Sequence, residues 1–316
     1  MISKLKTDPL SHYTYSGMSP VEKPFMDRLM KNYQIKIHDA VKLAALKMEH
    51  SIDEDSAYRM LKGDEASNLN DIQNKERLEK TLVILEDAIN MDRVVIYRQR
   101  IESLCDTMDM YENFIRIVKE DKTMLSPAVF LDDARELGQY TELHKIFIDK
   151  VFDYYETTND EFSLNFSIID ILDVELVEYL LQKVSSSSAS NRFIIEIYRK
   201  TDESYDKIVI KDFITRIKNY NVRVAFDDIG MSNAKFDELL YLEVDIIKIE
   251  AKLIRSMEED ENSRMFVEFM SDISQRMNLT TVAIHIERDS TKEMARELKI
   301  NYAQGYAIDK PSLLEV

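Results

Sequence analysis

The chain has 316 residues, enough for one large domain or two ordinary ones. Its 45% hydrophobic and 32% charged content is typical of a folded globular protein, while a net charge of −17 opposes binding to the backbone of long DNA or RNA. A single cysteine, Cys105, excludes an internal disulfide, and we find no apolar run able to cross a bilayer and no signal peptide. We therefore expect a cytoplasmic protein.

Residues 1–88 are predicted to be an α-helical N-terminal region. Apolar residues recur at helical spacing over residues 37–48 and again over residues 78–89. Between these stripes, a capping box at Ser51 predicts a helix that ends at Gly63. Amphipathic stripes need a surface against which to bury their apolar side. Regulation, homodimer formation and simple capping of a second domain all stay open for this region.

From residue 94 the pattern changes to runs typical of β-strands. The eight runs are VVIYRQRI, MYENFIRIV, FSLNFSI, RFIIEIY, VRVAFDDI, VDIIKIE, TVAIHI and YAQGYAI. Helical segments separate the runs after the second one, which predicts an α/β fold, a (β/α)8 TIM-type barrel, over residues 89–316. The short link between the first two runs predicts a hairpin, and so an antiparallel first strand. In such barrels the chemistry lies at the carboxyl ends of the strands.

Polar residues interrupt these apolar runs at equivalent positions. They are Glu112, Asn165, Glu196, Asp227, Asp228, Lys248 and Gln304. Burying a polar group costs free energy unless it is paired or coordinated, and any single one could be a satisfied core residue. The adjacent Asp227 and Asp228 could equally form a strand-to-turn cap. Several carboxylates and an amide at one barrel mouth nevertheless favour Mg²⁺ or Mn²⁺, which prefer oxygen ligands.

The same segments resemble the EAL domain family, the cyclic di-GMP phosphodiesterases. VVIYRQRI resembles the family's opening Gln-Pro-Ile strand and keeps Gln99, while ENFIR resembles the Glu-Ala-Leu-Leu-Arg signature and keeps Glu112 and Arg116. The segments LSPAVFLDDARELG, LNFS, FDDIG, DIIKIE and QGYAIDKP resemble further family segments in the same order. The resemblance extends over residues 90–316.

The resemblance implies a role for each matching residue. The implied metal ligands are Glu112, Asn165, Glu196, Asp227 and Asp228, around two cations that would clamp the scissile phosphate and activate a water. The implied ligand-binding residues are Gln99, Arg116, Asp228 and Gln304. Among them, Arg116 would contact a phosphate, and Gln99 and Gln304 would lie near the guanine and ribose. Lys248 is the implied catalytic residue, which would orient the water or the phosphate.

Three departures from the family pattern weaken the implied catalysis. Arg199 replaces a second glutamate on the fourth strand, and Ile284 and His285 replace a glutamate and a glycine on the seventh. The loop after Asp228 reads MSNAK and lacks the family's glycine and tyrosine. Ile284 can neither bind a cation nor take a proton. Glu287 lies three positions further on, and an odd offset along a strand predicts that its side chain faces the other way.

The sequence thus predicts a degenerate EAL domain that binds cyclic di-GMP or a protein partner as a signalling effector, with little or no hydrolysis. Two alternatives stay open. One is an active cyclic di-GMP phosphodiesterase with an altered second metal site, and the other is a protein-binding scaffold that has lost nucleotide binding. Mg²⁺ or Mn²⁺ is the expected cofactor wherever a metal binds.

Overall fold

The structure, a computed structural model, describes residues 22–34, 36, 39–40, 42–44, 54–198, 206–231 and 236–314. Ser51, Arg199, the loop residues 232–235 and most of the stripe at 37–48 lie outside the described residues. The chain divides into two compact units between Lys80 and Thr81, a little before the boundary that the sequence predicts at residue 88. No described helix is long and apolar enough to cross a membrane.

The described part of the first unit is helical. Helix α1 spans Glu22–Tyr33 and buries Met26 and Leu29, which lie three residues apart on one helical face. Arg28 on the exposed side of α1 forms an ion pair with Glu54, with 2.8 Å between Nη2 and Oε1. These contacts agree with the helical N-terminal region that the sequence predicts.

A long second helix passes from the first unit into the second. Helix α2 spans Glu54–Asn90 without a break, so the predicted helix end at Gly63 is wrong. An interior glycine costs a helix only about 1 kcal/mol relative to alanine, and a long run of good helix formers offsets that cost. The last turns of α2 belong to the second unit, where Leu85 and Ala88 are buried in its main core.

The second unit is built around one ten-stranded sheet. Its strands are β1 (Val94–Ser103), β2 (Met110–Val118), β3 (Met124–Leu125), β4 (Glu161–Ser167), β5 (Phe193–Tyr198), β6 (Arg223–Ile229), β7 (Ile246–Ile249), β8 (Thr280–Ala283), β9 (Tyr302–Ala303) and β10 (Ser312–Leu313). Eight of them close a ring in the order β1-β2-β4-β5-β6-β7-β8-β9, and β9 pairs back onto β1. Strand β1 is antiparallel to both neighbours, while the other pairs in the ring are parallel. The predicted barrel with an antiparallel first strand is confirmed.

Helices connect the parallel strands and cover the outside of the barrel. They are α3 (Pro127–Glu136), α4 (Tyr140–Tyr155), α5 (Ile168–Leu172), α6 (Val174–Ser186), α7 (Lys207–Lys218), α8 (Phe236–Leu242), α9 (Ala251–Ser256), α10 (Glu261–Arg276) and α11 (Asp289–Glu297). The side chains of Asp173, Asp206 and Asp260 accept hydrogen bonds from backbone N–H groups at the starts of α6, α7 and α10. Aspartate is favoured at such N-caps because it satisfies otherwise unpaired donors.

The inside of the barrel is filled by a separate apolar layer. Its members are Ile101, Met110, Ile194, Ala225, Ile246, Val282 and Tyr302, and Ile284 packs on them from above. Because side chains alternate between the two faces of a strand, the residues two positions away also point inward; toward the barrel mouth these are two positions on along the parallel strands and two positions back along antiparallel β1. The apolar layer therefore forms a floor inside the barrel, below the side chains that lie toward the carboxyl ends of the parallel strands.

Candidate functional site

A second layer of inward-facing side chains lies above the apolar floor. It is formed by Gln99, Glu112, Asn165, Glu196, Asp227, Lys248, Ile284 and Gln304. The structure thus brings together, at the barrel mouth, the polar residues that the sequence predicts there, apart from Asp228. Seven of these eight side chains are polar, and Ile284 is the exception. Such a layer is stable only if its buried polar groups satisfy one another.

Lys248 lies at the centre of the polar layer. Its Nζ is 2.6 Å from Oε2 of Glu112 and 2.7 Å from Oε2 of Glu196, and all three side chains are almost completely buried. The Ser163 hydroxyl donates a hydrogen bond to the other oxygen of Glu196. One ammonium group therefore holds two carboxylates, that of Glu112 from β2 across the barrel and that of Glu196 from β5, two strands away from β7.

Amide side chains complete the coordination of Glu112. Asn165 Nδ2 donates to Oε1 of Glu112 at 2.6 Å, and Gln304 Nε2 donates to Oε2 at 2.8 Å. Gln304 also donates to Oε1 of Gln99 at 3.0 Å, and Gln99 donates to the backbone oxygen of Asp309 at 2.8 Å. This network joins β1, β2, β4 and the segment after β9 into one hydrogen-bonded rim.

The network favours the charged forms of Glu112 and Lys248, whereas burial and the charge of Glu112 raise the pKa of Glu196 to about 7. Burial alone would raise the pKa of Glu112, but the charge of Lys248 and the hydrogen bonds from Lys248, Asn165 and Gln304 lower it below its ordinary value. Burial alone would lower the pKa of Lys248, but the charges of Glu112, Glu196 and Asp227 raise it. Glu112 is therefore ionised and Lys248 protonated at neutral pH.

The two adjacent aspartates have different surroundings. Asp227 faces the cleft, and burial raises the pKa of its carboxyl group even though the charge of Lys248 lowers it. Asp228 is exposed, has a left-handed φ of 57°, and its backbone N–H donates to Oδ1 of Asp227 at 2.9 Å. Asp228 does not line the cleft described next. Its implied part in ligand and metal binding stays a prediction.

A cleft of about 500 Å³ opens above the polar layer. Its walls are formed by Gln99, Glu112, Phe114, Arg116, Asp227, Lys248, Arg255, Ile284, His285, Glu287, Gln304, Gly305, Tyr306 and Pro311. Arg116 lies on the wall formed by β2, and its implied contact with a phosphate stays a prediction. Cations, amides and aromatic rings around one cavity are suited to an anionic ligand with planar rings.

The conformation of the segment after β8 contradicts the prediction made from the sequence for Glu287. Strand β8 ends at Ala283, and His285 has a left-handed φ of 58°, so the alternation of faces stops before Glu287. As a result Ile284 and Glu287 both line the cleft. The prediction that the odd offset turns Glu287 to the other face is wrong, because the offset rule holds only within a regular strand. Ile284 itself is buried and packs against the apolar layer below it.

The predicted metal ligands do not form a cation site as they are arranged. Within the described part of the chain, no three His, Cys, Asp or Glu side chains converge as metal ligands do. The Lys248 ammonium lies bonded between Glu112 and Glu196, so a divalent cation would fit there only if Lys248 moved away. Ile284 adds no oxygen atom to the same layer. The assignment of these residues as metal ligands stays a prediction.

Several residues of the cleft were missed by sequence reasoning. Arg255 follows β7 within the short helix α9, and no motif marks it. Phe114 lies within ENFIR, and Tyr306 and Pro311 lie within QGYAIDKP, so all three belong to segments that resemble the family although the resemblance implies no role for them. Tyr306 is 66% exposed, which leaves its ring open for stacking.

The chain belongs to the EAL domain family, whose model matches residues 83–311. It is 24% identical over 242 residues to the cyclic di-GMP phosphodiesterase PdeB of Shewanella oneidensis, a match covering 74% of this chain and 28% of that protein. It is 20% identical over 248 residues to the signaling protein YkoW of Bacillus subtilis, covering 76% of this chain and 31% of that protein. The chain thus spans less than a third of the length of these two relatives.

Solved structures share the fold at low sequence identity. The EAL domain of FimX from Xanthomonas citri in complex with cyclic di-GMP superposes with a TM-score of 0.68 at 14% identity, covering 77% of this chain and 97% of that one. The PaMucR phosphodiesterase in complex with cyclic di-GMP gives a TM-score of 0.65 at 18% identity, covering 73% of this chain and 97% of that one.

Proposed function

We propose that this chain is a degenerate EAL domain that binds cyclic di-GMP as a signalling effector, with little or no hydrolysis. The observation that carries the proposal is the polar layer. Lys248 forms ion pairs with both Glu112 and Glu196, and Ile284 occupies the place where the family resemblance implies a carboxylate. A two-metal hydrolytic site needs ligands for both cations and a positioned water, and this layer supplies neither in its present arrangement.

The proposed contacts to phosphates and bases come mainly from side chains outside the Lys248 network. Arg116, Phe114 and Tyr306 line the cleft above the polar layer, where they can contact phosphates and bases without any change in the Lys248 network. The cleft volume of about 500 Å³ lies within the ordinary range for small-molecule sites. Binding without turnover is the behaviour that this separation favours.

The proposal is tested by calorimetric titration of the full chain with cyclic di-GMP, in EDTA, in Mg²⁺ and in Mn²⁺. We expect binding in all three buffers with dissociation constants that agree within about threefold, because Lys248 already lies between Glu112 and Glu196 and the proposed ligand contacts come from protein side chains. Arg116→Ala should weaken binding at least about tenfold, since it removes a charge-assisted contact. Arg276→Ala, at the exposed end of α10 and away from the cleft, is the matched control and should bind normally. Absence of binding in every buffer would refute the proposal and favour the protein-binding scaffold.

An active cyclic di-GMP phosphodiesterase is the second candidate. It is favoured by Glu287, a carboxylate that lines the cleft within three residues of Ile284, and by the phosphodiesterase activity named for the PdeB relative. Under this alternative, Glu287→Gln abolishes Mg²⁺- or Mn²⁺-dependent turnover. Under the first proposal there is no turnover for this variant to lose.

A further inference from the structure

Two arginines line the cleft, and neither forms an ion pair with a carboxylate anywhere in the part of the chain that the structure describes. Arg116 donates a hydrogen bond from Nη1 to the backbone oxygen of Ile115 at 2.9 Å, and its guanidinium lies 5.5 Å from the Phe114 ring centroid. Arg255 is exposed on α9 and lines the opposite part of the same cleft. Asp227 and Glu287 also line the cleft, yet the two guanidinium groups remain unpaired with them.

Most other arginines of the second unit are paired with carboxylates, and the exceptions among the described residues, Arg192, Arg264 and Arg276, lie outside the cleft. Examples are the pairs Arg93–Asp87, Arg135–Asp170, Arg223–Glu161, Arg288–Glu258 and Arg296–Glu293. In a chain with a net charge of −17, carboxylate partners are plentiful. Arginines that keep their donors unpaired within a concave site are therefore available to bind an anion.

The two arginines lie on opposite walls of the barrel. In the eight-membered ring, β2 and β7 are four positions apart, which is the largest separation that the ring allows. Arg116 lies in the carboxyl half of β2, and Arg255 lies in α9 directly after β7. Two guanidinium groups that approach from opposite sides fit a ligand with two separated phosphates better than a ligand with one.

We propose that Arg255 binds the second phosphate of a two-phosphate ligand, while Arg116 binds the first. This inference rests on the proposed function and assigns to Arg255 a role that the family resemblance does not give it. Each phosphodiester of a cyclic dinucleotide carries one negative charge, so one guanidinium neutralises each. The planar donor groups of arginine match phosphate oxygens in pairs, which the ammonium of a lysine does not.

The test compares three variants in calorimetric titrations with cyclic di-GMP at several salt concentrations. Arg255→Ala should weaken binding about tenfold and make the dependence of the dissociation constant on salt shallower, because one ionic contact is lost. Arg255→Lys keeps the charge and should recover part of the affinity. Arg276→Ala removes an exposed arginine outside the cleft and should change neither the affinity nor its salt dependence.

A ligand with one phosphodiester separates a contact with the second phosphate from a general field effect. For 3′,5′-cyclic GMP we expect weak binding and at most about a twofold loss in Arg255→Ala, since a single phosphate can use Arg116 alone. Equal losses for both ligands would overturn the two-phosphate assignment. Binding of cyclic di-GMP by Arg255→Ala within twofold of the unaltered chain would overturn it too and leave the proposed function intact. If the unaltered chain fails to bind cyclic di-GMP, both proposals fall.

Discussion

The apolar layer and the polar layer lie two residues apart on the same strands of the barrel, yet different interactions stabilise them. The apolar layer, for example Ile194, Ile246 and Val282, fills space by packing alone. The polar layer buries charge, and Lys248 with its carboxylates and amides forms a closed set of hydrogen bonds. Packing tolerates small changes in volume, whereas a paired charge does not tolerate loss of its partner. The two layers should therefore respond very differently to single substitutions.

The largest expected effect comes from Lys248→Met. This change leaves Glu112 and Glu196 buried without their cation, and we expect the free energy of unfolding to fall by about 3–5 kcal/mol at pH 7. Urea unfolding followed by circular dichroism measures it. Ile246→Val, in the apolar layer of the same strand, is the matched comparison and should cost only about 0.5–1.5 kcal/mol. Equal losses in the two variants would contradict the distinction between the layers.

A buried ionisable residue without an ion pair should behave in the opposite way to Lys248. His144 is buried against Tyr140, with ring centroids 4.0 Å apart, and burial lowers the pKa of His144 from 6.5 to about 4. Between pH 6.5 and 4 the unfolded chain takes up a proton that the folded chain does not, so stability falls as the pH falls through this window. The free energy of unfolding should fall by about 3 kcal/mol across this pH window. His144→Phe should flatten the stability profile there, as measured by urea unfolding at several pH values; an unchanged slope would refute this account of His144.

The next effect concerns the backbone that positions Gln304. A Cβ atom at Gly305 would lie 2.1 Å from the backbone oxygen of Ile286 and 2.2 Å from its nitrogen, which is too close for either to remain in place. Gly305→Ala should therefore destabilise the chain by about 1–3 kcal/mol and weaken ligand binding, because Gln304 belongs to the rim. Gly138→Ala is a useful comparison, because Gly138 has a left-handed φ of 70° but open space around its Cβ position. The Gly138→Ala variant measures the cost of a left-handed φ without a steric clash.

The smallest effect is expected at His285. Its φ of 58° is left-handed, a conformation that costs side-chain-bearing residues roughly 1 kcal/mol relative to glycine. His285→Gly should leave stability unchanged or raise it by up to about 1 kcal/mol in thermal unfolding. A clear loss of stability would mean that the His285 side chain makes contacts that offset the strain.

The barrel could be predicted because its signals are local and repeat along the chain. Apolar runs, helical segments and the short link between the first two runs fix the ring and the antiparallel β1. The polar layer could also be predicted, because Glu112, Glu196 and Lys248 stand out in otherwise apolar strands. The ends of the strands could not be predicted from the sequence. The runs TVAIHI and YAQGYAI read as full strands, but β8 and β9 end early, which places Glu287 in the cleft.

Helix α9, which contributes Arg255 to the site, gave no usable signal in the sequence, whereas the loop residue Gln304 did. Arg255 lies in a short amphipathic segment, and only the position of β7 in the ring brings it opposite Arg116. The bonding of Lys248 was also out of reach, because a sequence gives no distances between strands. The predicted helix end at Gly63 was wrong because the helix-forming residues around this glycine outweigh its local helix-ending tendency.

Turnover of cyclic di-GMP by the unaltered chain is the most direct test of the central claim. The measurement is a time course of linear dinucleotide formation, by chromatography, in Mg²⁺ and in Mn²⁺ at ligand concentrations that saturate binding, with Ile284→Glu assayed in parallel. The account predicts a bound ligand that is recovered intact, and product formation no faster than in a control without protein. Linear product formation in proportion to protein concentration, at a rate typical of enzymes (about 1 s⁻¹ or more), would contradict it.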